Sequence, residues 1–279
     1  MKKWHLISNC TACSNCNNCV LALNDEYVGN AFPGYSAPKP AVGSPWLKKT
    51  RKERGNGPMI DVSHYLETCM NCRNPACVNE KTKDVVYQRD DGIVIIDPEK
   101  AKGRRDIVGM CPHGHIHWNE ELQLPQKWTW DAHLLDQGWK EPRAAQVCPT
   151  GGLVALKAED AEMDARVAAG ELQMRDSRTG SRLYDKNFER VTHAFLGGTV
   201  KIFRNGVEDC VEGATVVLRK NGEVVAELKT DAFGDFKFDG LAGQGEELTV
   251  TVEPPDGEPV RRKITLESSH YLGAIEIPA

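Results

Sequence analysis

The chain has 279 residues, room for roughly two domains of ordinary size. With 40% hydrophobic and 27% charged residues it reads as a folding chain, which excludes a disordered one. A net charge of −5 without a strongly basic patch argues against nucleic-acid binding, and no apolar run approaches the ~20 residues of a membrane helix.

In chain order, the opening Met-Lys-Lys-Trp-His-Leu-Ile-Ser-Asn-Cys10 lacks the apolar core of a secretory signal, so the expected compartment is the cytoplasm. Cys10-Thr-Ala-Cys13-Ser-Asn-Cys16-Asn-Asn-Cys19 then places a thiol every third residue. That spacing lets several sulfurs point at one centre, as in iron–sulfur runs, although Cys-x2-Cys is also a zinc spacing. Residues 24–60 read as an irregular surface segment, broken by prolines 33, 38, 40 and 45. Within it, residues 48–54 carry five basic side chains, either a solvated face or a docking surface.

A second run, Cys69-Met-Asn-Cys72-Arg-Asn-Pro-Ala-Cys77, follows. Val85-Val-Tyr-Gln88, the turn at Asp90-Asp-Gly92 and Ile93-Val-Ile-Ile96 predict a β-hairpin. Cys111-Pro-His-Gly leads into His115-Ile-His117-Trp118, read as a strand that puts His113, His115 and His117 on one face. These histidines fit hydrogen-bonded or interface roles, with a metal site as the alternative. After Cys148-Pro-Thr-Gly-Gly, Leu153-Val-Ala-Leu156 reads as a strand and residues 158–169 as a helix stopped by Gly170. Residues 171–196 are expected to link two domains. From 197 to 279, seven short strand-like runs, with Asn221-Gly222 as a two-residue hairpin turn, predict a seven-stranded antiparallel sandwich.

Nine of the ten cysteines lie before residue 149 in short clusters, as metal ligands do and disulfide partners usually do not. The two triads, Cys13, Cys16, Cys19 and Cys69, Cys72, Cys77, stand beside two prolyl-flanked cysteines, Cys111 and Cys148. In two-cluster ferredoxins a remote Cys-Pro completes each triad, so the arithmetic closes as two [4Fe-4S] sites. No Ser-His-Asp arrangement, phosphate loop or acid–base pair stands out. The acidic pairs Asp90-Asp91 and Glu120-Glu121 read as turn and surface residues.

These four cysteine groups resemble those of the iron–sulfur subunits that accompany molybdopterin enzymes of the dimethyl-sulfoxide-reductase family. Tyr87-Gln-Arg-Asp-Asp-Gly-Ile-Val-Ile-Ile-Asp-Pro-Glu-Lys-Ala-Lys-Gly103, Ala132-His-Leu-Leu-Asp136 and Phe233-Gly-Asp-Phe-Lys-Phe238 resemble, within that family, the small subunits of pyrogallol–phloroglucinol transhydroxylases. The resemblance implies that Cys148 joins Cys13, Cys16 and Cys19 on one cluster, and Cys111 joins Cys69, Cys72 and Cys77 on the other. It implies an α+β ferredoxin-like domain over residues 1–170, followed by an immunoglobulin-like or transthyretin-like sandwich. It also implies a large molybdopterin-bearing partner that holds the catalysis, so this chain is expected to be no enzyme on its own. The ligand positions of a further family cluster fall on Leu23, Trp128, Asp131 and Ala144, and the lone-ligand position of another on Lys81. Both clusters are therefore expected to be absent, with Trp128 and Trp130 filling vacated volume. Cys10 is expected to be a buried thiol or a substitute ligand, and Cys210 a small core or loop residue. Three functions stay open: an electron-transfer subunit acting with hydroxylated aromatics, a mainly structural subunit whose clusters form no continuous wire, or a free-standing ferredoxin-like carrier or zinc protein.

Overall fold

The computed structural model describes residues 1–204, 206–254 and 258–278. The expected C-terminal domain includes 205, 255–257 and 279, which lie outside the described residues. The chain divides into two units, Met1–Arg51 with His64–Phe188, and Lys52–Ser63 with Glu189–Ala279.

The chain opens with strand β1 (Lys3–Asn9) and helix α1 (Asn18–Tyr27). A long hairpin follows, β2 (Leu47–Asn56) and β3 (Met59–Thr68), whose residues 52–63 group with the second unit. Next come β4 (Val86–Gln88) paired with β5 (Val94–Ile96), a 3-10 turn (Arg105–Met110), and β6 (His117–Asn119) paired with β7 (Leu124–Gln126). Two short helices, α2 (Ala132–Asp136) and α3 (Arg143–Gln146), lead to β8 (Leu153–Ala158), helix α4 (Asp160–Ala168), β9 (Gln173–Met174) and β10 (Leu183–Lys186).

One sheet organises the first unit, in the order β8-β1-β10-β9, with β1 parallel to β10 and antiparallel to β8. Successive side chains of a strand face opposite ways. In β1, Leu6 therefore enters a core with Trp46, Trp128 and Trp130, while Ile7 packs with Met163 of α4, Leu172 and Tyr184. The hairpin expected at residues 85–96 forms, with Gly92 at φ 88° in its turn. The helix expected over 158–169 is α4, with Asp160 and Glu162 in its first turn and Gly170 at φ 74° beyond its end.

Two stretches depart from expectation. Residues 24–60 are not irregular throughout, because Leu47–Asn56 is a ten-residue strand turned back on Met59–Thr68. Residues 171–196, expected as a link, supply β9 and β10, and Leu183 and Tyr184 of β10 are fully buried.

Among its described residues the second unit has α5 (Glu189–Thr192) and eight strands where seven were expected. They are β11 (Ala194–Arg204), β12 (Val207–Cys210), β13 (Thr215–Lys220), β14 (Glu223–Lys229), β15 (Asp235–Leu241), β16 (Glu246–Glu253), β17 (Val260–Leu266) and β18 (His270–Ile277). One sheet centres on β11, antiparallel to β12 and β15 but parallel to β18, so this unit is not wholly antiparallel. The other runs β14-β13-β16-β17, all antiparallel. The turn at Asn221-Gly222 has both residues at positive φ, 51° and 87°, as a tight hairpin with right-handed twist requires. Leu196, Val200 and Ile275 of the first sheet share a core with Val216, Leu218 and Val250 of the second. The strand missed from the sequence, β12, is exposed at every residue and carries no apolar alternation.

The basic run at 48–54 is not one solvated face. Arg54 is 7% exposed, and its guanidinium bonds Asp61 at 2.6 Å and Asp239 at 2.7 Å within the second unit.

Candidate iron–sulfur centre

The cysteine loops start from backbone geometry. After β1, the Asn9 side-chain oxygen accepts from the Thr11 and Ala12 amides and turns the chain, and Cys13 N–H donates to Asn9 O at 3.1 Å. In Cys13-Ser-Asn15-Cys16 and Cys69-Met-Asn71-Cys72, the residue before the second cysteine has positive φ, 60° at Asn15 and 41° at Asn71. Asparagine tolerates that region better than most side chains, and the resulting kink winds the loop tightly enough for nearby thiols to face one side. The two Cys-Pro segments match each other as well. The glycine three residues on has φ 68° in both, at Gly114 and Gly151.

Each loop is held from outside. Cys72 O accepts from Gln88 Nε2 at 2.8 Å and from Arg182 Nη1 at 3.3 Å, while Trp130 Nε1 donates to Cys69 O at 3.0 Å. Arg182 is in turn fixed by Asp160, at 3.0 Å. Thr82 Oγ1 donates to Cys77 O at 2.8 Å.

The eight expected ligands fall around two cavities. Cys13, Cys16, Cys19 and Cys148 line one. Cys69, Cys72, Cys77 and Cys111 line the other. No Asp or Glu lines either. Among the described residues no three His, Cys, Asp or Glu side chains are gathered tightly enough to hold a single ion. Each quartet surrounds a space.

The donor chemistry fits an iron–sulfur group. Backbone N–H groups already address sulfur: Leu153 N donates to Cys148 Sγ at 3.3 Å and His115 N to Cys111 Sγ at 3.4 Å. These two donors directly follow Gly152 and Gly114. Gly152 lies so close to Cys13 that a Cβ would fall 2.8 Å from Cys13 Cα. Burial pushes Cys19 and Cys72 up to about 11 and Cys77 up to about 12. Cys148 is held below the ordinary thiol value: burial opposes this, but the amides of Leu153, Thr150 and Gly152 outweigh it.

The remaining residues singled out in the sequence sort clearly. Cys10 is 2% exposed and lines neither cavity. Cys210 is exposed on β12, so it is not a core residue. Of the three histidines only His117 lies in a strand, so they do not share a strand face. His113 and His115 line the second cavity, His113 Nε2 is 3.1 Å from Asp176, and burial drives His115 down to about 4. Lys81 is exposed in a turn, its amide donating to Asn79 Oδ1 at 2.9 Å.

Leu23, Trp128, Asp131 and Ala144 are all buried. Leu23, Trp128 and Ala144 belong to one core with Tyr27, Trp46 and Trp130. Asp131 accepts from Trp128 Nε1 at 2.6 Å and from Arg143 N at 2.8 Å. Both indoles, Trp128 and Trp130, are fully buried there.

Two residues were missed from the sequence. Lys49, on β2, lines the first cavity and Lys127, just after β7, lines the second. Lys49 stood out only as one of the basic run at 48–54, and Lys127 carries no motif. Only the fold brings them to the sulfurs.

Residues 60–157 match the family model of a 4Fe-4S dicluster domain. The chain is 38% identical over 283 residues, 99% of its length and 100% of the relative's, to the pyrogallol hydroxytransferase small subunit of Pelobacter acidigallici. It is 30% identical to the beta chain of the dimethylsulfide dehydrogenase of Rhodovulum sulfidophilum, over 36% of this chain and 30% of that one. It is 31% identical to a tetrathionate reductase subunit of Salmonella typhimurium, over 39% of this chain and 42% of that one. Similarity to the first of these runs along the whole of both proteins, and with its thiol-lined cavities the chain belongs to the family of iron–sulfur subunits that includes the pyrogallol hydroxytransferase small subunit.

Proposed function

We propose that this chain is the electron-transfer subunit of a heteromeric molybdopterin enzyme acting on hydroxylated aromatic compounds, and that it holds two [4Fe-4S] clusters. Cys13, Cys16, Cys19 and Cys148 hold one, and Cys69, Cys72, Cys77 and Cys111 hold the other. The observation that carries this reading is the sorting of eight cysteines from four separate segments into two quartets, one per cavity. Identity of 38% along the whole chain to a hydroxytransferase small subunit supports the substrate class.

Each bound cluster would supply a one-electron site whose potential responds to hydrogen bonds and nearby charge. The protein's own part is to present four thiolates, aim amides at sulfur and exclude water. The molybdopterin and the bond-making chemistry lie on the large partner, in the cytoplasm. No helix among the described residues is long and apolar enough to cross a membrane. We read the C-terminal β unit as an immunoglobulin-like or transthyretin-like sandwich serving contact or stability.

A second reading, a mainly structural subunit, is favoured by the packed core around Trp128. Where a cluster is missing from a chain of clusters, electron transfer between the survivors slows steeply with distance. Transhydroxylation needs no net electrons, so the two readings differ in whether dithionite-reduced clusters pass electrons to the partner.

The test is Cys148→Ser in anaerobically purified complex. The parent should carry about eight irons in this chain, by the four-iron count of each site, and the variant about four. Both clusters intact after the change would end the ligand assignment, and a colourless parent would end the iron–sulfur reading.

A further inference from the structure

Each thiol-lined cavity contains one lysine. Lys127 is 2% exposed, and its Nζ is 3.3 Å from Trp128 O and 3.4 Å from Asn71 Oδ1, both at the long edge of hydrogen bonding. Lys49 Nζ is buried and makes no hydrogen bond. Neither lysine has a carboxylate ion-pair partner within its cavity lining, since no Asp or Glu lines either space. A buried ammonium without an anion is costly. The only groups in each cavity able to become anionic are the four sulfurs it faces.

We propose that Lys49 and Lys127 are positioning residues that set the reduction potentials of the two clusters, Lys49 for the quartet containing Cys148 and Lys127 for the quartet containing Cys111. The inference rests on the two-cluster reading above. Reduction places one electron, taken from an external low-potential donor, on an already anionic group, with no bond made or broken. A fixed positive charge beside that group stabilises the reduced form more than the oxidised one, and raises the potential. Low dielectric around a buried lysine strengthens the effect and keeps salt from screening it. The exposed Lys48, on the same strand as Lys49 but 58% exposed at its side chain, lacks that leverage.

The experiment is an anaerobic dithionite titration followed by EPR on the purified complex. The Cys148→Ser protein identifies which signal belongs to which quartet. Lys127→Met should make the Cys111 cluster harder to reduce by at least about tenfold at fixed ambient potential, or about 59 mV for one electron, and leave the other cluster unmoved. Lys49→Met should do the same to the Cys148 cluster alone. Lys48→Met should move neither. Lys49→Arg and Lys127→Arg, which keep the charge, should restore the parent potential.

Unchanged potentials in both methionine variants with iron intact would overturn the proposal, as would equal shifts of both clusters from either single change. If a methionine variant loses its cluster, retention at the parent potential in the arginine variant supports the charge role. Loss in both variants would make that lysine a packing element instead. Iron content separates the two levels: a parent without iron removes the two-cluster reading, whereas a parent with both clusters but insensitive potentials removes only the lysine proposal.

Discussion

Gly152 has an ordinary φ, so its absence of a side chain matters for space alone. A Cβ there would meet Cys13 Cα at 2.8 Å and Cys13 N at 3.1 Å, and backbone cannot swing aside as a side-chain tip can. Gly152→Ala should push the Cys13 loop away from Cys148 and halve the iron content, measured by colorimetric iron and sulfide assay. Gly114 poses the opposite case: nothing lies within 4 Å of its added Cβ, but its φ is 68°. Gly114→Ala should keep both clusters and lower stability by about 1 kcal/mol, the usual cost of an L-residue in the left-handed region. A Gly152→Ala protein with full iron would mean that the loop yields. The asparagines at positions 15 and 71 belong to the same scale. They are the polar residues that accept the turn each thiol triad needs, and they repeat in register between the two runs.

At the scale of elements, β1 carries His5 into the middle of its sheet with no exposed surface. Burial lowers the pKa of His5 from 6.5 to about 4, and Asp160, 3.6 Å away, only partly offsets this. Between those two values the unfolded chain binds the proton and the folded chain does not. The stabilisation is therefore complete above pH 6.5 and falls as pH drops toward 4, by about 3 kcal/mol in all. Anaerobic urea unfolding of His5→Gln should show a shallower pH dependence across that window, and an unchanged slope would remove His5 as its source. The tip of the β2–β3 hairpin makes a different demand. Arg54 is enclosed by Asp61 and Asp239, and Arg54→Met removes its bonds to both, leaving Lys237 beside the two carboxylates and Arg190 on Asp61. A loss of about 1.5–3 kcal/mol in the second unit is expected by calorimetry, the usual worth of hydrogen bonds to a charged group, since both carboxylates keep other cations. These elements also mark what the sequence could and could not disclose. The hairpins at 85–96 and at Asn221-Gly222 were legible because apolar runs flank a turn that requires positive φ. The β2–β3 hairpin has the same kind of signal at Asn56-Gly57, but β2 is mostly charged, so no apolar alternation flanks that turn on its first side. Strand β12 has four exposed residues, and β10 follows a polar stretch. Both exist because of their neighbours in the sheet, not because of local pattern.

At the scale of the whole molecule, the question is how many redox centres the chain has room for. The cysteine runs were legible in the sequence, since thiols at fixed spacing declare themselves, while the remote cysteine that joins each run was implied by the family resemblance. The lysines behind them were not, because a lysine looks alike on a surface and in a cavity until the fold is known. The third volume combines both cases. At Leu23, Trp128, Asp131 and Ala144, where the resemblance implied lost ligands, the fold makes a packed core closed by a polar clasp from Trp128 Nε1 to Asp131 to the Arg143 amide. Burial raises the pKa of Asp131, so removing the indole N–H deprives a dry carboxyl of a donor. Trp128→Ala should therefore combine a cavity with an unsatisfied acceptor and cost about 3–5 kcal/mol. Trp128→Phe, which keeps most of the volume, should cost less. If this core is filling and not a redox site, neither change alters the iron per chain or the two EPR signals in protein that remains folded, while both lower the unfolding midpoint. A drop to half the iron in the milder phenylalanine variant would tie Trp128 to a cluster and overturn the reading of this region as inert packing.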